Sequence, residues 1–267
     1  MTAPRKTSTL AAQHGSPCWY ELSTSPGALP AAEAFYGKVL GWSVADSGMP
    51  GFDYRLAKRG DDMVAGMMVM PDEAKGMPPM WMVYFAVEDA DKAVARMKKA
   101  GARVHVPVTP IPNTGRFAIL GDPMGSGFGI LEPLDGQTGT AFNQKKAGHG
   151  NWHELNSPDP RAAMKFYGDQ FGWTPSTSMD MGDLGSYDLF SRDGTDIGGM
   201  QRLRPEAGQG DGFWLPYFGV DGTEAAMERI TAAGGTVRHG PAEVPGGAWI
   251  AIAADPQGAS FAVVGPK

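Results

Sequence analysis

Residues 18–42 read CWYELSTSPGALPAAEAFYGKVLGW, and residues 151–173 read NWHELNSPDPRAAMKFYGDQFGW. The two stretches are one pattern written twice. Trp19, Glu21 and Leu22 recur as Trp152, Glu154 and Leu155 at an offset of 133 residues. Phe35-Tyr36 and Gly41-Trp42 recur as Phe166-Tyr167 and Gly172-Trp173 at an offset of 131, and a two-residue insertion around Ser25 to Leu29 accounts for the change. Locally, Trp19 to Ser23 alternates in character and predicts a strand. Pro30 suits a first helical turn. Ala31, Ala34, Phe35, Val39 and Leu40 then form an apolar stripe at helical spacing, which Gly41 stops.

The same offset of 133 carries outward along the chain. Tyr54, Leu56 and Gly66-Met67 match Tyr187, Leu189 and Gly199-Met200. Trp81, Tyr84, Phe85 and Val87 match Trp214, Tyr217, Phe218 and Val220. Arg96, Gly101 and Val104 match Arg229, Gly234 and Val237, and Asp122-Pro123, Gly125 and Phe128 match Asp255-Pro256, Gly258 and Phe261. So many matches in one order make the chain a duplication. The reading expects a disordered tail over 1–14, one domain over 15–133, a Gly-, Lys-, Thr- and Gln-rich linker over 134–149, and a second domain over 150–267.

Each half repeats its own scheme. After the first helix come a strand through Phe52, Tyr54 and Leu56, the turn Gly60-Asp61-Asp62, and a strand over Met63 to Met70. Trp81 to Val87 restarts the pattern, Asp89 caps a helix over Ala90 to Ala100, and Ala102 to Pro107 is a short strand. Arg116 to Leu120 and Phe128 to Leu131 are strands joined by Gly121-Asp122-Pro123-Met124-Gly125. Four strand–helix–strand–strand units result, an α+β pattern. They pair into curved mixed sheets with helices outside and a concave face inside, a natural place for a small ligand.

Composition agrees. The 267 residues include 38 Gly and 22 Pro, well above the usual combined share of about 12%, yet 42% are hydrophobic and only 19% charged. The Gly and Pro therefore punctuate short elements rather than mark disorder. A net charge of −6 without a basic stripe argues against nucleic acid. No apolar run is long enough to span a membrane, and Met1 to Gln13 lacks the core of a signal peptide. The lone Cys18 excludes an internal disulfide and a cysteine-based zinc cluster, and points to a reducing, cytoplasmic setting.

The order W-x-E-L, F-Y-G-x-x-x-G-W, Y-F-x-V, A-G-x-x-V and D-P-x-G resembles the vicinal-oxygen-chelate superfamily, the glyoxalase, bleomycin-resistance and extradiol-dioxygenase proteins. The resemblance covers about residues 17–133 and 150–266. It implies paired β-α-β-β-β modules in each half and, in the enzymes, one divalent metal in the concave cavity. Carried over slot by slot, the metal positions of the dioxygenase-like members fall on Trp19 and Trp152 in the first strand. In the fifth strand they fall on Met82 and Leu215, and in the eighth on Gly129 and Ala262. None of these ligates a hard cation. A one-residue register shift would put Tyr20 and His153 in the first slot. His153 is therefore the one weak metal candidate, and a divalent metal stays an alternative rather than an expected cofactor.

If Trp19 and Trp152 face the cavity, Glu21 and Glu154 do too, because side chains two apart share a face. A carboxylate beside an indole in a partly dry pocket suits a general acid or base; the other reading, which repetition in both halves favours, has both glutamates satisfying backbone donors or capping a neighbouring loop. Tyr84 and Tyr217, and Arg116 with its counterpart Trp249, complete the expected substrate-binding set with Trp19 and Trp152. The expected function is binding of a small organic molecule in an aromatic-lined cavity, probing neither nucleic acid nor membrane, as a monomer or homodimer. The alternative is a lyase, isomerase or dioxygenase of the same superfamily, using a divalent metal or a Glu acid/base.

Overall fold

A computed structural model describes residues 13–49, 51–74, 76–134, 136–204 and 211–267. Most of the expected tail, residues 1–12, lies outside the described residues. Four modules follow one another. The first holds β1 (Pro17–Thr24), α1 (Leu29–Leu40), β2 (Ser43–Asp46), β3 (Tyr54–Arg59) and β4 (Asp62–Val69). The second holds β5 (Met80–Ala86), α2 (Ala90–Lys99), β6 (Arg103–Ile111), β7 (Gly115–Gly121) and β8 (Gly127–Pro133). The third holds β9 (Gly150–Ser157), α3 (Pro160–Phe171), β10 (Thr174–Asp180), β11 (Ser186–Arg192) and β12 (Thr195–Arg202). The fourth holds β13 (Phe213–Gly219), α4 (Thr223–Ala232), β14 (Thr236–Glu243), β15 (Trp249–Ala254) and β16 (Ser260–Gly265).

The strands form two eight-stranded mixed sheets, ordered β2-β3-β4-β1-β5-β8-β7-β6 and β10-β11-β12-β9-β13-β16-β15-β14. Within a module the first and last strands run parallel, as in β1 with β4 and β5 with β8, because the helix carries the chain back across the sheet. The remaining neighbours in a module are antiparallel hairpins. Each module thus has the β-α-β-β-β order that the resemblance implies; the four strands of the second module are those read from the sequence, whereas the first gains one. In the first and third modules the addition is the edge strand directly after the helix. β2 and β10 are almost wholly exposed, so no apolar alternation announces them. β6 also runs past the expected Pro107 to Ile111. It is an edge strand with two register shifts, where proline costs no central ladder bond.

Two compact units emerge from the contacts. Of the described residues, one takes those within Met1–Cys18, Val83–Gly139 and Glu154–Trp214, and the other those within Trp19–Met82, Thr140–His153 and Leu215–Lys267. Each has its own aromatic core. In the first, Phe85 packs edge-on to Trp173 and Trp214, and Phe128 meets Phe166, Tyr167 and Phe171. In the second, Phe218 meets Tyr20, Trp42 and Trp81, while Phe261 meets Phe35 and Tyr36.

The repeated motifs now have a physical role. In the second unit the Tyr36 hydroxyl donates to Asp255 Oδ2 at 3.1 Å and accepts from Trp81 Nε1 at 2.8 Å. Asp255 Oδ1 accepts from the backbone N–H groups of Gln257 and Ala259, which closes the D-P-x-G turn. In the first unit Tyr167 donates to Asp122 Oδ2 and accepts from Trp214 Nε1, both at 3.0 Å. Burial pushes both carboxyls above their ordinary value, only partly countered by the turn amides and the phenols. The F-Y, Trp and D-P-x-G motifs are therefore one buried hydrogen-bonded triad per unit, a framework device.

Candidate functional site

Strand alternation settles which side chains share a face. Along β1, Cys18, Tyr20, Leu22 and Thr24 are buried, whereas Trp19, Glu21 and Ser23 between them are half-buried. Trp19 and Glu21 therefore project together from the side opposite Tyr20. In β5, Trp81 and Phe85 enter the aromatic cores and Val83 between them is buried, which leaves Met82 and Tyr84 on the other side.

In the second unit a chain of polar contacts links three side chains on the Trp19 face. Trp19 Nε1 donates to the Tyr54 hydroxyl at 3.0 Å, and that hydroxyl donates to Glu21 Oε2 at 2.8 Å. Burial, and after it the Glu21 charge, pushes the Tyr54 phenol well above its ordinary value. The contact exists because Gly66, paired with Glu21 across β4, has no side chain. A Cβ there would sit 1.9 Å from the Tyr54 oxygen.

The same unit carries an apolar platform. Leu215 and Tyr217 on β13 and Ala262 on β16 are buried together, with Trp152, Ile250, Ile252 and Val264 packed against them and partly exposed. Tyr217 lies level with Ala262, which lies level with Ile252, and Val264 is level with Ile250. Trp249 is not part of this surface. Its strand neighbours on its own side, Ala251 and Ala253, are fully buried. Its carbonyl accepts from Thr223 at the start of α4, and Lys267 lies over its ring. The structure therefore separates Trp249 from Tyr217 and Trp152, because odd and even positions of β15 point to opposite sides.

In the first unit, Tyr84 lies flat over Gly129, whose added Cβ would meet the ring at 2.2 Å, and contacts Phe117. Arg116, the neighbour of Phe117, points to the opposite side and pairs with Asp91 on α2 and with Glu132. It is not brought to Tyr84. Glu154 Oε1 accepts from Asn156 Nδ2 at 3.0 Å and Gln201 Nε2 at 2.9 Å, and Gln201 also bonds Asn156. Tyr187 covers Gly199 as Tyr54 covers Gly66. Tyr54, Tyr187, Asn156 and Gln201 were absent from the sequence-derived set. The signal for the tyrosines was present: a glycine repeated in mid-strand marks close approach by another group. Asn156 and Gln201 align with Ser23 and Met68, so the repeat holds no signal for them.

The superfamily's divalent metal can be tested against these residues. In the second half the three slots Trp152, Leu215 and Ala262 do converge, but on carbon: they meet in the apolar platform. In the first half the space for a side chain at Gly129 is filled by the Tyr84 ring. His153 is fully buried on the opposite side of β9 from Trp152, its Nε2 2.7 Å from the Tyr20 hydroxyl and its ring stacked on Tyr20. Among the described residues no three His, Cys, Asp or Glu side chains gather as a metal cluster. These positions do not fit a hard divalent cation, which takes imidazole or carboxylate donors. Also among the described residues, no helix is long and apolar enough to cross a membrane.

Comparison with known proteins places this architecture. The family model of the Glyoxalase/Bleomycin resistance protein/Dioxygenase superfamily matches residues 25–130 and 149–263. "Putative glyoxylase CFP32" of Mycobacterium tuberculosis is 33% identical over 257 residues, covering 95% of this chain and 96% of that protein. The anthracycline biosynthesis protein DnrV of Streptomyces peucetius is 32% identical over 266 residues, covering 94% and 93%. Among solved structures, the 2,3-dioxygenase LapB from Pseudomonas sp. KL28 superposes with a TM-score of 0.67 at 15% identity, over 95% of this chain and 93% of that one. The Mn(II)-bound glyoxalase from Novosphingobium aromaticivorans gives 0.65 at 16% identity, over 94% and 82%. By its two matched segments and its module order, the chain belongs to the Glyoxalase/Bleomycin resistance protein/Dioxygenase superfamily.

Proposed function

We propose that this protein binds a small, planar organic molecule on the helix-free faces of its sheets and does so without a resident metal, with 15–133 and 150–267 acting as its two domains. The observation that carries this reading is the convergence of Trp152, Leu215 and Ala262 in one apolar platform at the positions where the resemblance puts metal ligands. A half-buried indole with Ile250, Ile252 and Val264 offers stacking and dispersion contacts and no cation donor. The names of the Streptomyces relatives, which tie them to anthracycline biosynthesis, support a polycyclic aromatic ligand class.

The polar groups fix orientation. Glu21, held by Tyr54, is placed to accept from a ligand hydroxyl on the Trp19 side. Glu154 is likewise held in its own unit, by the amides of Asn156 and Gln201. A second reading, a lyase or isomerase with Glu21 as acid or base, is favoured by the Trp19–Tyr54–Glu21 chain, which orients that carboxylate.

Two measurements test the proposal. Elemental analysis of protein purified without chelator should find no stoichiometric divalent metal, and finding it overturns the metal-free reading. Titration with hydroxylated anthraquinones should quench tryptophan emission saturably, and Trp152→Ala should weaken the effect. Unquenched emission across the panel overturns the ligand class. Loss of a measurable turnover in Glu21→Gln would establish the enzymatic reading instead.

A further inference from the structure

A cleft within the second unit carries a charge opposite to that of the chain. Its narrow end is a cavity of about 140 Å³ where Lys38 at the end of α1 meets Arg59, Asp221 and Arg229. It continues, through shared Ala147, Gly219, Val220 and Asp221, into a wider depression of about 590 Å³ that Lys145 and Lys146 line. Asp221 is the one acidic residue among the lining side chains, against five cationic ones, on a protein of net charge −6. Such local reversal of sign concentrates anions.

The donors are set by the fold. Arg59 Nη1 donates to the Gly41 carbonyl at 3.0 Å, and Arg229 Nε donates to the Val39 carbonyl at 3.2 Å. Both guanidiniums are thereby anchored on the open carbonyls that end α1, and they cover its negative partial charge. Anchoring uses one edge of each fork. Among the described residues, the Arg229 terminal nitrogens and the Lys38 ammonium have no protein acceptor. Among the described residues, Arg59 Nη2 meets only Asp221, at 4.0 Å, and that carboxylate is 85% exposed. A pair so exposed contributes little and yields to a stronger anion. Lys146, by contrast, is engaged by Asp62 at 2.6 Å and contributes only its charge.

We propose that this cleft binds a phosphate-bearing small molecule, its phosphate held by Lys38, Arg59 and Arg229 and its organic part lying in the wider depression. A multiply charged group is required to balance three cations against one exposed carboxylate, and held guanidinium forks match phosphate oxygens in pairs. The wider depression reaches the edge of the apolar platform at Val264, but Lys38, Arg59 and Arg229 lie outside that platform, and the inference does not depend on the function proposed for it.

Calorimetric titration of inorganic phosphate and pyrophosphate into the full chain, at low salt in a zwitterionic buffer, tests this. Saturable binding of pyrophosphate at one site is expected, weakening as sodium chloride is added. Lys38→Ala and Arg229→Gln should each weaken it about tenfold or more, the loss of one charge-assisted contact. Arg229→Gln also uncaps α1, so its thermal unfolding is followed in parallel. Lys38 is exposed and anchors nothing, so Lys38→Ala decides the matter at unchanged stability. Absence of saturable binding, or pyrophosphate affinity unaltered by Lys38→Ala, overturns the proposal and leaves the two arginines as helix caps only.

Discussion

Replacing Tyr36 by Phe removes one oxygen that serves two buried partners. Trp81 Nε1 loses its acceptor and Asp255 Oδ2 loses its donor, while the ring keeps its stacking against Trp42 and its edge contacts to Trp81 and Phe261. An indole N–H left unpaired in a core costs about 1–3 kcal/mol, and a hydrogen bond to a charged group is worth about 1.5–3 kcal/mol. A destabilisation of about 2.5–6 kcal/mol follows at neutral pH, or roughly 5–24 °C in melting temperature for a chain of this size. The loss also depends on pH. Burial holds the Asp255 carboxyl above its ordinary 3.8, and the Tyr36 hydrogen bond works against that rise. The folded state thus binds a proton more readily than the unfolded one, so Asp255 lowers stability as pH climbs from 3.8 through its raised value. Tyr36→Phe raises that value further. Its penalty falls mainly on the charged carboxylate, so the deficit shrinks as the pH is lowered through this window. Urea unfolding followed by tryptophan fluorescence, for wild type and variant across pH, measures both quantities. A Tyr36→Phe loss below about 0.5 kcal/mol, outside the range of a lost buried hydrogen bond, refutes the reasoning. So does a deficit that is constant with pH.

Three further outcomes are expected. Gly66→Ala puts a Cβ 1.9 Å from the Tyr54 oxygen, so it should expel the phenol from Glu21 and destabilise by about 1–3 kcal/mol; retained stability together with an unperturbed Tyr54 side-chain NMR signal would contradict this. Gly129→Glu restores a carboxylate at the family's eighth-strand position, but the Tyr84 ring occupies its Cβ space. It should lower the melting temperature without producing stoichiometric metal binding, which elemental analysis of the variant checks. Cys18 is buried and its thiol is pushed far above the ordinary range by desolvation. It should resist a disulfide reagent in native protein and react fully in denaturant, and rapid native labelling would contradict its placement.

Much of the fold was readable because its signals are local or repeated. The Trp19/Trp152 strands, the Phe35-Tyr36 and Phe166-Tyr167 helices and the Asp122 and Asp255 turns recur in order, and each reflects burial at a definite period. β2 and β10 were not readable, since exposed edge strands carry no apolar alternation. At the candidate site, the residue types were visible but their partners were not. Glu21 invited an acid/base reading, and only the structure supplies Tyr54, reaching it over Gly66 from a neighbouring hairpin. Arg116 and Trp249 occupy matched positions that suggested a cavity role. One residue of strand phase sends both to the helix side instead.

By itself the sequence determined the duplication, the module order, the apolar and aromatic material of the cores, and the want of donor atoms at the metal positions. These depend on residue identity and spacing along one chain. Tertiary structure alone decided that Trp152, Leu215 and Ala262 meet, that each F-Y tyrosine bonds the D-P-x-G aspartate of another module, and that Lys38, Arg59 and Arg229 converge on one cleft. Those encounters join residues as much as 219 positions apart. Strand pairing and helix packing bring such residues together, and no local pattern encodes them.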